Sequence, residues 1–136
     1  MKRARYALLI VTLLLTGAMP LSAAEQTLDL VAKHPGSWLE APENGLARIS
    51  FHPENGTFRF TASCLMADQH YALVQHSDDN TRQGYIISLI TASTDGRATA
   101  TGNWSLWKGK IWLVLRDDVE GVAGDLRPDR LTGWHP

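Results

Sequence analysis

The sequence lacks the features that would cross-link a small domain or mark a catalytic centre. Its one cysteine, Cys64, excludes an internal disulfide, so folding depends on burial of apolar side chains. We expect that thiol to be buried, because Cys64 lies two positions after Ala62 and therefore on the same inward side of its strand. The alternative is an intermolecular disulfide. The sequence has no Gly-x-Ser-x-Gly motif or comparable nucleophile context, which favours a protein that is not an enzyme. The 13 basic and 14 acidic residues form no basic face, so we expect no nucleic-acid partner.

The first 24 residues have the pattern of an export signal. A basic head of three residues precedes an apolar run over residues 6–15, and the small residues 22–24 end the segment. The apolar run is short for a membrane span. Position 25 is glutamate, which excludes the cysteine of a lipoprotein. We therefore predict a signal peptide that is cleaved after Ala24 and a periplasmic or secreted product with no stable membrane span. The alternative is that the uncharged stretch over residues 6–24 stays as an uncleaved anchor.

Cleavage would leave a single domain of 112 residues. The leader carries three of the basic residues and none of the acidic ones, so the formal net charge changes from −1 to −4. We divide this domain into an N-terminal arm and first strand over residues 25–45 and a β-barrel over 46–136. The apolar spacing in residues 25–33 is compatible with a short helix or with an arm lying against the barrel.

The clearest local signal is a hairpin around the Pro-Glu-Asn-Gly turn at residues 53–56. Proline presets the turn and glycine supplies the positive φ angle that it requires. Closing His52 opposite Thr57 aligns three apolar pairs on one face, namely Phe51 with Phe58, Ile49 with Phe60 and Ala47 with Ala62. The residues between them are polar and lie on the other face, as expected for a half-buried strand pair.

Two further turns extend the alternating pattern. The Asp95-Gly96 pair is typical of a tight hairpin, and it predicts that residues 85–94 pair with 97–107. The Lys108-Gly109 pair predicts that the chain returns along the second of these strands as residues 110–116. All three hairpins share one apolar face, and a one-residue slip would turn that face toward solvent.

A further strand is predicted over residues 71–76, with Ala72 and Val74 facing the interior. Short strands over 122–126 and 131–134 complete the set. Seven or eight antiparallel strands with one apolar face must pack as a sandwich or close on themselves, and sequential order favours closure. The sequence therefore predicts an all-β fold, a small antiparallel meander that closes into a β-barrel.

A Gly-Ser-Trp tripeptide at residues 36–38 precedes the first hairpin, and Gly-x-Trp recurs at 102–104. This pattern resembles the lipocalin-type, or calycin, family. The resemblance implies an up-and-down barrel in which Trp38 is the plug at one end. Residues 46–71, with an Ile-Ser-Phe segment, an Asn-Gly turn and Cys64, are also similar to the META (HslJ-like) domain. Both resemblances imply a non-catalytic envelope barrel.

The barrel interior is the first candidate site. Small inward residues beside large aromatic ones would leave space in an eight-stranded barrel, which is only just wide enough for one small ligand. We therefore expect a binding protein that holds a small apolar or amphipathic ligand in the barrel or at its mouth. The residues expected to line this site are Phe51, Phe58, Phe60, Tyr85 and Trp104.

The second candidate site is a tryptophan-rich surface. Trp107 and Trp112 are predicted at the turn and on the outer face of one hairpin, beside Lys108 and Lys110. Exposed aromatic side chains with a polar edge are common at protein interfaces. The alternative function is thus a periplasmic protein–protein interaction module, either an inhibitor or an envelope assembly or stress factor. The two tryptophans could equally cover the outside of the barrel.

The five histidines are not spaced as a metal site. His70 and His76 share a strand face but are six positions apart, roughly 20 Å at the rise of a β-strand. The other three, His34, His52 and His135, each precede a proline and therefore belong to loops. We expect no metal ion and no cofactor.

Overall fold

The computed structural model describes residues 24–34, 36–76, 83–124 and 129–130. The strands are β1 (Gln26–Val31), β2 (Leu46–Phe51), β3 (Thr57–Ser63), β4 (His70–His76), β5 (Gln83–Thr91), β6 (Ala98–Asn103), β7 (Lys110–Leu115) and β8 (Asp129–Arg130). Two short 3-10 helices span Pro42–Asn44 and Arg116–Asp118. Residues 1–23 of the predicted signal peptide and the predicted strand over 131–134 lie outside the described residues.

The strands form two four-stranded antiparallel sheets. Their orders are β1-β2-β3-β6 and β7-β4-β5-β8. The predicted all-β class is confirmed, but the pairings of the described strands do not close a barrel. Buried side chains from both sheets form the main core, among them Phe60 of β3 and Leu73 of β4. The sheets therefore pack face to face, which is the other solution for strands with one apolar face.

The hairpin of β2 and β3 has the predicted register. Phe51 lies opposite Phe58, Ile49 opposite Phe60, and Ala47 opposite Ala62. All six side chains belong to the main core or pack against it. The turn chemistry and the period-two pattern agree here, so the sequence alone specifies this pair of strands.

The N-terminal segment forms a strand where a short helix or arm was predicted. β1 pairs with β2 from Gln26, opposite Phe51, to Val31, opposite Leu46. Leu30 packs against the main core. A segment with few apolar residues gains more by completing the edge of an existing sheet than by forming an isolated turn of helix.

The predicted pairings of the two later hairpins are wrong, although the Asp95-Gly96 turn lies where expected. Ser93 donates its N–H to the carbonyl of Arg97 at 2.8 Å, which closes the turn. The strands that it joins then diverge, because β6 pairs with β3 and β5 pairs with β4. β7 likewise pairs with β4 and not with β6. Alternation shows which side of a strand is apolar, but it does not show which sheet the strand joins.

β4 is buried on both faces, which corrects the predicted inward orientation of Ala72 and Val74. Tyr71 and Leu73 face the main core. Ala72 and Val74 instead join a second cluster on the opposite side of the sheet, together with Ile86, Val114 and Val119. The central position of β4, between β5 and β7, explains its nearly continuous apolar sequence.

A β-bulge in β5 changes which of its side chains face the core. The register shifts so that Leu73 lies opposite Ser88 while Val74 lies opposite Ile86, which leaves Ile87 as the extra residue. Ile87 and Ile90 are therefore both buried in the main core, whereas Leu89 is exposed. Strict alternation along the predicted strand of residues 85–94 would place Leu89 on the same inward side as Ile87. One inserted residue reverses the side of the sheet that each following side chain faces.

Candidate functional site

The residues predicted to line a ligand cavity pack against one another in the main core. Phe51, Phe58, Phe60 and Trp104 are buried, and the half-buried Tyr85 packs against them. The ring of Tyr85 lies 6.0 Å from that of Trp104. These aromatic side chains therefore pack within the core between the two sheets.

Trp107 belongs to the same aromatic core. Its ring stacks on Phe51 with the centroids 4.5 Å apart and an interplanar angle of 20°. It also meets the ring of Phe58 edge-on at 5.5 Å. The prediction placed Trp107 beside Trp112 on an outer surface, but Trp107, in the loop before β7, packs against the main core and Trp112 packs against the second cluster. Lys108 is exposed in the loop that follows Trp107.

A polar pair is buried within this core. The indole Nε1 of Trp104 donates a hydrogen bond to Oε1 of Gln75 at 2.7 Å. The amide Nε2 of Gln75 in turn donates to the carbonyl of Lys108. Buried polar groups are stable only when they are paired, so Gln75 fixes both the Trp104 ring and the loop before β7.

Trp112 lies on the outer face of the second sheet and contacts Trp38. The two rings meet edge-on, with centroids 6.1 Å apart and an interplanar angle of 74°. On its other side Trp112 stacks on His76, with centroids 5.9 Å apart and planes within 9° of each other. His76 is only 2% exposed. The buried His76 ring thus supports the half-buried Trp112 ring, and Trp112 in turn supports the exposed Trp38 ring.

Trp38 is held in place by its own loop. Its N–H donates to the carbonyl of His34 at 3.1 Å, and His34 donates to the carbonyl of Leu39 at 2.9 Å. Lys33 and Glu40 form a β-bridge at the base of this loop. Trp38 has a φ angle of 60°, which is rare for a bulky residue and persists only where surrounding contacts enforce it.

We call the surface formed by Trp38, Leu39, Lys110 and Trp112 the aromatic patch. Trp38 is 38% exposed and Leu39 is 67% exposed. Lys110 precedes Trp112 by two positions on the same strand face, and it is also exposed. Trp38 was predicted as the plug of a barrel, but it lies outside the two buried clusters. Sequence reasoning did not pair it with Trp112, and the one signal for that pairing was the number of tryptophans.

The described histidines do not converge. His34, His52 and His70 each lie beside one partner, respectively Glu43, Glu25 and Thr91. In the part of the chain that the structure describes, no three histidine, cysteine, aspartate or glutamate side chains are grouped to hold a metal ion.

Cys64 is exposed, so its predicted burial is wrong. β3 ends at Ser63, and the φ angle of 58° at Cys64 turns the chain away from the strand. The side-to-side alternation of the strand therefore does not extend to Cys64.

No helix among the described residues is both long enough and apolar enough to cross a membrane. Comparisons with protein-family models, with curated protein sequences and with solved structures found no match to this chain.

Proposed function

We propose that this chain is an exported, non-catalytic interaction module that binds a protein partner through the aromatic patch. The observation that carries the proposal is the exposed Trp38 side chain, braced by Trp112 and His76 beside the largely exposed Leu39. Tryptophan is enriched among the residues that dominate binding energy at protein interfaces. A preorganised side chain also loses little entropy when a partner binds.

The packing of the core favours this function over carriage of a ligand between the sheets. Trp107, stacked on Phe51, occupies space that a carrier with the predicted lining would leave open. Gly102 supports the same reading, because a Cβ there would lie 2.9 Å from the Phe58 ring. The lipocalin-like carrier therefore stays the second candidate.

Site-specific photo-crosslinking in the exporting cells tests the proposal. A benzophenone amino acid at Leu39 should give one discrete protein adduct, because this side chain projects from the patch. The same probe at Val122 is the control, since that residue is comparably exposed at 65% and lies outside the patch. Trp38→Ser combined with the Leu39 probe should abolish the adduct and leave the folded protein intact. An adduct of equal yield from Val122, or none from Leu39, would refute the proposed surface.

Native mass spectrometry separates the two candidates. The protein purified from the exported fraction without refolding should have the mass of the polypeptide alone. A specific additional mass that is lost on denaturation would instead support the carrier.

A further inference from the structure

A shallow groove crosses β1, β2 and β3 and is separate from the aromatic patch. Its volume is about 520 Å³, and it is open to solvent along the sheet surface. Two cross-strand rows supply its outward side chains, one of Asp29, Arg48 and Thr61 and the next of Val31, Leu46 and Ser63. The row between them packs toward the main core, so these two rows point away from it.

An ion pair organises the polar row. Arg48 donates from Nε to Oδ1 of Asp29 at 2.6 Å and from Nη2 to Oδ2 at 3.1 Å. The hydrogen bonds from Arg48, together with its charge, hold the pKa of Asp29 below its usual value. These bonds use two of the five N–H donors of the guanidinium, and three remain for a ligand. The Asp29 oxygens also keep acceptor capacity.

The charge balance of the groove discriminates between ligand classes. Because Asp29 and Arg48 neutralise each other, neither a cation nor an anion gains a net Coulomb attraction here. A hydroxyl group can satisfy both partners, accepting from Arg48 and donating to Asp29. The second row places Leu46, 40% exposed, beside Val31, and this aliphatic surface suits the C–H face of a sugar ring.

We propose that this groove binds a neutral carbohydrate, with the Asp29–Arg48 pair and Thr61 contacting hydroxyl groups and Val31 and Leu46 contacting the ring. The site shares no residue with the aromatic patch, which is formed by Trp38 and Leu39 of the β1–β2 loop together with Lys110 and Trp112 of β7. Carbohydrate binding by the groove and protein binding by the aromatic patch can therefore be tested separately, and the loss of one proposal does not remove the other.

An NMR titration of the ¹⁵N-labelled protein tests this site with maltohexaose, cellohexaose and fully N-acetylated chitohexaose, and with oligogalacturonate as the anionic counterpart. At least one neutral sugar should shift the amides of residues 29–31, 46–48 and 61–63. Arg48→Met should weaken that binding about tenfold, as expected when charge-assisted hydrogen bonds are lost. Thr61→Val removes one hydroxyl without touching the ion pair and should weaken it by a smaller factor.

Arg59→Met is the matched control. Arg59 is an exposed arginine on the same sheet face, opposite Ser50 and outside the groove lining. This variant should bind the sugar like the wild type. The proposal is overturned if no sugar shifts the groove amides, if oligogalacturonate binds more tightly than the neutral sugars, or if Arg59→Met weakens binding as much as Arg48→Met.

Discussion

Trp107 and Trp112 show how strongly the environment of a residue type depends on position. They are five positions apart, yet Trp107 stacks on Phe51 in the main core and Trp112 supports Trp38 at the surface. Both are tryptophans, a residue type that is enriched at protein interfaces. Only the contacts distinguish the side chain that fills the core from the one that supports an exposed patch.

Gly56 is the residue with the least tolerance for substitution in the first hairpin. Its φ angle is 75°, and an added Cβ would lie 2.7 Å from the carbonyl oxygen of Trp104. Gly56→Ala should lower the free energy of unfolding by about 3 kcal/mol, because left-handed strain and a backbone clash add together. Urea unfolding measures this loss. Gly36→Ala is the control, since its φ of 85° gives strain without a neighbour within 4 Å, and it should cost about 1 kcal/mol. Equal losses would contradict the clash.

Asp29 should titrate differently once Arg48 is removed. In Arg48→Met its pKa should rise toward the ordinary value, because the hydrogen bonds that lower it are gone. The depressed pKa gives stability that is present near neutral pH and is lost as the pH falls through the folded-state pKa. The stability difference between wild type and variant should therefore shrink in acid. NMR titration of the Asp29 carboxyl checks the direction, and an unchanged pKa would argue against the ion pair in solution.

At the scale of elements, the sequence specified the positions of turns better than it specified which strands pair with each other. The β2–β3 hairpin was predictable because its turn and three apolar pairs are local. The pairings of β6 with β3 and of β7 with β4 were not predictable, since they join segments that are distant in sequence. The bulge at Ile87 in β5 also has no glycine beside it that would mark its position in the sequence. Packing between distant segments decides such features, and a period-two pattern carries no information about that packing.

Hydrogen exchange should rank the strands by their position in the sheets. Amides of β4 should exchange slowest, because the strand pairs on both sides and both of its faces are buried. Amides of β1 should exchange faster, because it is an edge strand with mostly exposed side chains. β2 is the internal control, as a strand that also pairs on both sides but has one exposed face. Protection of β1 equal to that of β4 would contradict this order.

At the scale of the whole molecule, the two sheets build different outer faces. The first sheet has a polar outer face that includes the Asp29–Arg48 pair. The second is partly covered by a small cluster that contains Val119 and carries Trp112 at its edge. One domain can thus present two chemically distinct surfaces, and we assign a separate binding role to each.

The location of the protein also belongs to this scale. If the leader functions as predicted, the exported form should begin at Glu25, because signal peptidase cleaves after small residues such as those at 22–24. Intact-mass measurement of the protein from the exported fraction checks this. Ala24→Leu should block cleavage, while Leu30→Ala, in β1 and beyond the cleavage site, should be cleaved normally. A full-length mass for the exported wild type would contradict the prediction.

The sequence by itself determined the all-β class, the register of the first hairpin and the position of the Asp95-Gly96 turn. These features follow from side-chain alternation and backbone angles, which act over a few residues. Only the tertiary structure decided that the strands form two sheets and that Trp38 meets Trp112. It also decided that Cys64 is exposed. Each of these depends on which distant segments bury one another, and burial of apolar surface is non-directional.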